Sequence, residues 1–116
     1  MTREDKLQAE CVKWFRLQYP RYVLFAVPNG GNRNAATGAM LKKTGTLAGV
    51  ADLFLMHASK GWNGLFVEMK VGKNQLTKTQ TQFAFQALHA GYKHAVCRSF
   101  DDFMQTVNEY INDDQK

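Results

Sequence analysis

The chain of 116 residues is poor in cysteine. Cys11 and Cys97 form no CxxC pair, and no zinc-ligand spacing is present. This excludes a disulfide scaffold and a zinc finger, and predicts two small buried apolar side chains in a reducing compartment. No apolar run approaches the roughly 20 residues of a membrane span. The N-terminal segment MTREDKLQAE is polar and lacks a signal-peptide apolar region. A soluble cytoplasmic protein without membrane contact is therefore expected. Repeats, low-complexity tracts and linkers are absent. His57, His89 and His94 do not cluster at metal spacing and read as structural or surface residues.

The composition that is present supports one folded domain over residues 1–116. Hydrophobic residues make up 45% of the chain, with 8 Phe, 4 Tyr and 2 Trp, which builds a core and argues against disorder. The formal net charge of +5 suits a polyanionic partner, with nucleic acid first among them.

Periodicity gives the elements. Leu7, Cys11, Trp14, Phe15 and Gln18 recur at helical spacing, so residues 3–18 read as a helix capped by Thr2 and ended by Tyr19-Pro20. RYVLFAV (21–27), ADLFLM (51–56), GLFVEMK (64–70) and HAVC (94–97) read as strands. Lys60-Gly61-Trp62-Asn63-Gly64 reads as a hairpin-like turn. Residues 77–90 form a helix with Gly91 just past its end, and Ser99 caps a last helix with the stripe Phe100, Phe103, Met104, Val107, Ile111. Residues 35–43 suit a short helix stopped by Gly45. The main order is α-β-β-β-α-β-α, a mixed α/β fold with helices covering a sheet.

GLFVEMK carries two ionised groups at the end of an apolar strand. Alternation turns Glu68 and Lys70 to one face and Met69 to the other. Asp52 begins the strand DLFLM, sixteen positions before Glu68. If those strands pair as a hairpin, the two carboxylates meet at one sheet edge. They repel unless something positive lies between them, and hard oxygen donors suit Mg²⁺ or Mn²⁺. Lys70 could then orient or deprotonate an attacking water, or stabilise a pentavalent phosphate. The plainer reading of Glu68 and Lys70 is an ordinary ion pair.

Two further residues converge on this edge. Gln80 completes a capping box with Thr77 and also shares an inward face with Phe83, Ala84 and Ala87. Glu4 is the acid that the first helix turns towards the Leu7–Cys11–Phe15 face, whereas Glu10 falls at its rim. The loop PNGGNRN places Asn29, Gly30 and Gly31 where backbone could approach a DNA strand, with Arg33, Lys42 and Lys43 as positive charge beside it.

These motifs resemble a known family. The helix with Glu4 and Gln8, the loop VPNGGNR, GAMLKKTGTLAGVADL, the EMK strand, LTKTQ, AGYKHAVCRS and FDDFMQTVNEYI together resemble the stand-alone VRR-NUC domains. These are virus-type replication-repair nucleases of the PD-(D/E)xK superfamily, and the likeness covers roughly residues 4–111. It implies a restriction-endonuclease-like core, a mixed central sheet flanked by helices, and a divalent-metal-dependent, structure-selective DNA endonuclease. It also implies a homodimer acting on branched DNA such as four-way junctions, and a phage or bacterial source. By the same resemblance Asp52, Glu68 and the Met69 carbonyl would hold Mg²⁺ or Mn²⁺. Lys70 would be the catalytic lysine, Gln80 the supporting amide and Glu4 the first-motif glutamate. Trp14, Trp62 and the apolar tail are candidate dimer surfaces, and a replication or repair protein is a candidate for targeting. The rival readings are a non-catalytic DNA-binding module of the same fold and a structural subunit whose strand end is only a salt bridge.

Overall fold

A computed structural model describes residues 1–28 and 35–112. Helix α1 spans Arg3–Gln18. Thr2 starts it through a reciprocal capping box: the Asp5 amide donates to Thr2 Oγ1 at 3.0 Å and the Thr2 amide to Asp5 Oδ2 at 3.1 Å. Cys11 and Phe15 on its inner face are fully buried.

Four short strands follow: β1 Leu24–Ala26, β2 Leu53–Leu55, β3 Leu65–Met69 and β4 Lys93–Cys97. They lie in the order β1-β2-β3-β4, with β1/β2 and β2/β3 antiparallel and β3/β4 parallel. The parallel pair needs a crossover, which helix α3 (Lys78–His89) supplies. Helix α2 (Ala35–Lys43) forms where the short helix is expected, so the full order is α-β-α-β-β-α-β-α. Strands β1 and β2 are shorter than their apolar runs. Pro20 and Arg21 are taken up in a turn closed by the Tyr22 amide on the Tyr19 carbonyl, and pairing beyond the strands continues only through Val27 N to Asp52 O and Met56 N to Val23 O.

The two sheet faces differ. Leu24, Leu53, Leu55, Leu65, Val67, Met69 and Cys97 face α1 and the last helix, α4 (Phe100–Ile111), and form the core with Phe15, Phe103 and Val107. On the opposite face Phe25, Phe54, Phe66 and His94 stand in one cross-strand row. Helix α3 covers the β3–β4 half of that row through Phe83, 5.0 Å from Phe66 and 6.2 Å from His94 between ring centroids. Phe25 and its neighbours Val23 and Met56 remain exposed. Strand β3 is covered on both faces, which is why it reads as a near-continuous apolar run.

Trp14 is occupied within the chain, edge-on to Tyr19, Phe100 and Phe103, and the stripe of α4 lies in the core. Trp14 keeps part of its surface exposed, and Trp62 is half-buried with Lys93 over its ring. The β2–β3 turn uses Lys60 (φ 54°) and Gly61 (φ 86°) as its two left-handed residues. Lysine is unusual there. Its ammonium bonds the Tyr110 and Asn112 carbonyls, closing the C-terminus of α4, where a cation complements the helix dipole. Cys11 and Cys97 are free and buried, and burial raises their thiols to about 12 and about 11, as expected for inert core residues.

Burial also lowers the His94 imidazole below its ordinary value, and its Nε2 has no hydrogen-bond partner among the described residues. The fold thus favours neutral histidine, and this contribution is lost as pH falls below the ordinary histidine range. The melting-temperature gap between wild type and His94→Leu should therefore change in the variant's favour as pH is lowered from 7 to 5.

Candidate active site

The site forms at the C-terminal end of β3. In the antiparallel register Leu53 faces Val67, so the next pair outward is Asp52 and Glu68. The hairpin thus brings the two carboxylates to one edge, as alternation and turn chemistry predict. Asp52 is further fixed because its Oδ2 accepts the Met69 amide at 2.7 Å. The Lys70 amide donates the other way, to the Cys97 carbonyl of β4 at 3.0 Å. Across that shared peptide the Met69 carbonyl must point opposite to the Lys70 amide, and so towards Asp52.

Glu68 and Lys70 lie on the α3 face and are 3% and 8% exposed. Burial pushes the Glu68 carboxyl up to about 8; the Asp52 charge beside it acts in the same sense, Lys70 pulls the other way, and Glu4 adds a smaller upward push. Glu4 is half-buried whereas Glu10 is exposed, which agrees with Glu4 as the acid turned towards the site. Gln80 Nε2 donates to Glu68 Oε2 at 3.2 Å, while its Oε1 accepts the Thr77 amide at 2.9 Å. Capping and site contact, alternative readings of this residue in sequence, are both made by the one amide.

Residues 2–101 match the VRR-NUC domain family. The chain belongs to the VRR-NUC family. A solved VRR-NUC domain protein has the same fold, with a TM-score of 0.76 over 93% of this chain and 87% of that one, at 23% identity. No curated protein matches the chain. VRR-NUC membership places the protein among nuclease-type, DNA-processing domains. No helix among the described residues is long and apolar enough to cross a membrane.

The edge carries oxygen donors that would suit a hard divalent cation. Among the described residues no three His, Cys, Asp or Glu side chains converge as a metal cluster. The donors at this edge are instead the Asp52 and Glu68 carboxylates and the Met69 carbonyl, all oxygen. Glu68 Oε1 is buried and finds no hydrogen-bond donor. A buried carboxylate oxygen without a donor, beside a second carboxylate, is the environment that a cation relieves.

Other expected contacts fall elsewhere. Lys42 and Lys43 stand exposed in the last turn of α2, where Gly45 (φ 112°) ends the helix. Asn29, Gly30, Gly31 and Arg33 lie outside the described residues. Two residues escaped the sequence reading. Arg98 Nη1 holds the Gly72 and Asn74 carbonyls at 3.1 and 2.7 Å, anchoring the connection that follows Lys70. Gly49 (φ 92°) packs its Cα against the Thr79 carbonyl at the start of α3; an added Cβ would lie 2.4 Å from that oxygen. Both contacts join segments distant in sequence, and local pattern carries no signal for them beyond a glycine and a cation beside turns.

Proposed function

We propose that this protein is a divalent-metal-dependent, structure-selective DNA endonuclease that hydrolyses phosphodiester bonds in branched DNA such as four-way junctions. The observation that carries this reading is the Glu68 carboxyl: buried, gripped at Oε2 by Gln80, with Oε1 lacking a donor beside Asp52. Mg²⁺ or Mn²⁺ held by Asp52, Glu68 and the Met69 carbonyl would supply an activated water and positive charge for the phosphate.

The chain's own residues do the positioning. Gln80 fixes the Glu68 carboxylate, and the Met69 amide fixes Asp52. Lys70 is a buried cation on the same face, suited to orient the attacking water or to neutralise charge developing on the phosphate. Glu4 completes the acidic edge. Lys42 and Lys43, with Arg33, would hold the flanking backbone; such contacts give salt-sensitive, largely sequence-independent binding. Two copies related by a two-fold axis would present two sites at a fixed spacing, which suits a four-way junction, and a replication or repair protein would direct the domain to its substrate.

The test is cleavage of labelled four-way junction, flap and linear duplex DNA with Mg²⁺, then Mn²⁺. Branched substrates should be cut, and EDTA or Glu68→Ala should abolish cutting. Binding without cutting in either metal would instead identify a DNA-binding module of the same fold. Absence of both metal binding and branch preference would leave the strand end as a salt bridge in a structural subunit.

A further inference from the structure

We propose that Thr77 is a positioning residue for Glu68, acting through Gln80; the inference rests on the nuclease reading above. The first turn of α3 holds Gln80 at two points. Thr77 Oγ1 accepts the Gln80 backbone amide at 3.2 Å, and the Thr77 backbone amide donates to Gln80 Oε1 at 2.9 Å. With Oε1 committed to an N–H donor, the amide has one orientation, and the end presented to Glu68 is the donating Nε2, 3.2 Å from Oε2. The carboxylate is thereby held by one oxygen, and the other, Oε1, is left without a donor.

A capping box accepts Glu or Gln at this position with equal ease. Glutamate would present an acceptor to Glu68 in place of the donor. The pattern T-x-x-Q at 77–80 is therefore specified by the site as well as by the helix end. Gly49 seats the same turn from the other side, against the Thr79 carbonyl, so the segment leading through Asp52 into β2 and the helix carrying Gln80 are fixed relative to each other. Glu68 and Gln80 stand on separate elements, and a frayed cap would let the amide swing away while the fold stayed intact.

The experiment uses the full chain with two readouts. In metal-free protein, the Gln80 side-chain amide protons, identified in ¹H–¹⁵N spectra by their loss in Gln80→Met, should exchange with water more slowly than those of exposed Gln82. Thr77→Ala keeps the backbone donor to Gln80 Oε1 but loses the Oγ1 acceptor that holds the turn, so it should weaken that protection, and Thr77→Ser should restore it. In the second readout, Thr77→Ala should weaken Mn²⁺ binding by about tenfold, within the roughly 10–100-fold range of groups that orient metal ligands. Gln80→Met should cost at least as much, and the double variant no more than Gln80→Met alone. Unchanged amide protection in Thr77→Ala, or additive losses in the double variant, would overturn the proposal. If wild type binds no Mn²⁺, the metal reading falls and the amide exchange alone decides the positioning role.

Discussion

Glu68→Gln should reduce cleavage on the order of 10³-fold or more and at the same time stabilise the metal-free protein. The first effect follows from the proposed metal-dependent chemistry, from which the substitution removes a charged oxygen donor. The second follows from burial. The Glu68 carboxyl sits beside Asp52 with Oε1 lacking a hydrogen-bond partner and is raised to about 8, so ionising it in the metal-free fold is costly. The introduced amide keeps an acceptor for Gln80 Nε2 and brings a donor towards Asp52. Above about pH 8, where the wild-type group is ionised, relieving it is worth about 1–3 kcal/mol. The sign has a pH signature. An unfolded glutamate titrates near 4.5 and the folded one near 8, so the folded state binds the extra proton between those values. Stability of the wild type in EDTA should fall as pH rises through that window, and the variant should lack this fall. Melting curves from pH 4 to 9, paired with a cleavage assay, check both effects. A purely structural Glu68–Lys70 ion pair requires the reverse: destabilisation at neutral pH and untouched cleavage.

Gly49→Ala should lower the melting temperature by roughly 10 °C and abolish cleavage even where the protein remains folded. The new Cβ would stand 2.4 Å from the Thr79 carbonyl oxygen and 2.6 Å from its carbon, both backbone atoms that cannot rotate aside. The φ of 92° adds strain for any side chain. Overpacking and left-handed strain together cost about 2–4 kcal/mol, which sets that temperature shift for a domain of this size. Relief requires the first turn of α3 to move, and with it Gln80. Gly45→Ala is the matched control. Its φ is 112°, but nothing lies within 4 Å of the added Cβ, so it should lose about 1 kcal/mol through strain alone and keep its activity. Equal effects from the two substitutions would mean that the Thr79 contact matters no more than backbone strain.

Much of the site could be read from residue order, because its rules are short-range. Alternation puts Glu68 and Lys70 on one face of β3 and Met69 on the other, and a tight turn at Lys60-Gly61 forces the strand after Asp52 to run back beside it. Capping chemistry fixes where α1, α3 and α4 begin, at Thr2, Thr77 and Ser99, since an orphan amide finds its oxygen within three or four residues. The helical period separates Glu4 from Glu10. Strand lengths were overread because the apolar runs extend beyond the residues that pair as strands, Leu24–Ala26 and Leu53–Leu55.

Tertiary structure decided the remainder. Whether Gln80 only caps or also grips Glu68 depends on how α3 docks over β3, and that is set by Phe66, Phe83 and His94 packing from three elements. The parallel placement of β4 gives the Lys70 amide its partner and turns the Met69 carbonyl towards Asp52. Gly49 meets Thr79 across thirty positions of chain, and Arg98 reaches back to Gly72 and Asn74. Residue order determined which groups each element offers, because backbone geometry and capping act within a few residues. Burial of two unlike sheet faces determined which groups meet, because that free energy belongs to the whole chain at once.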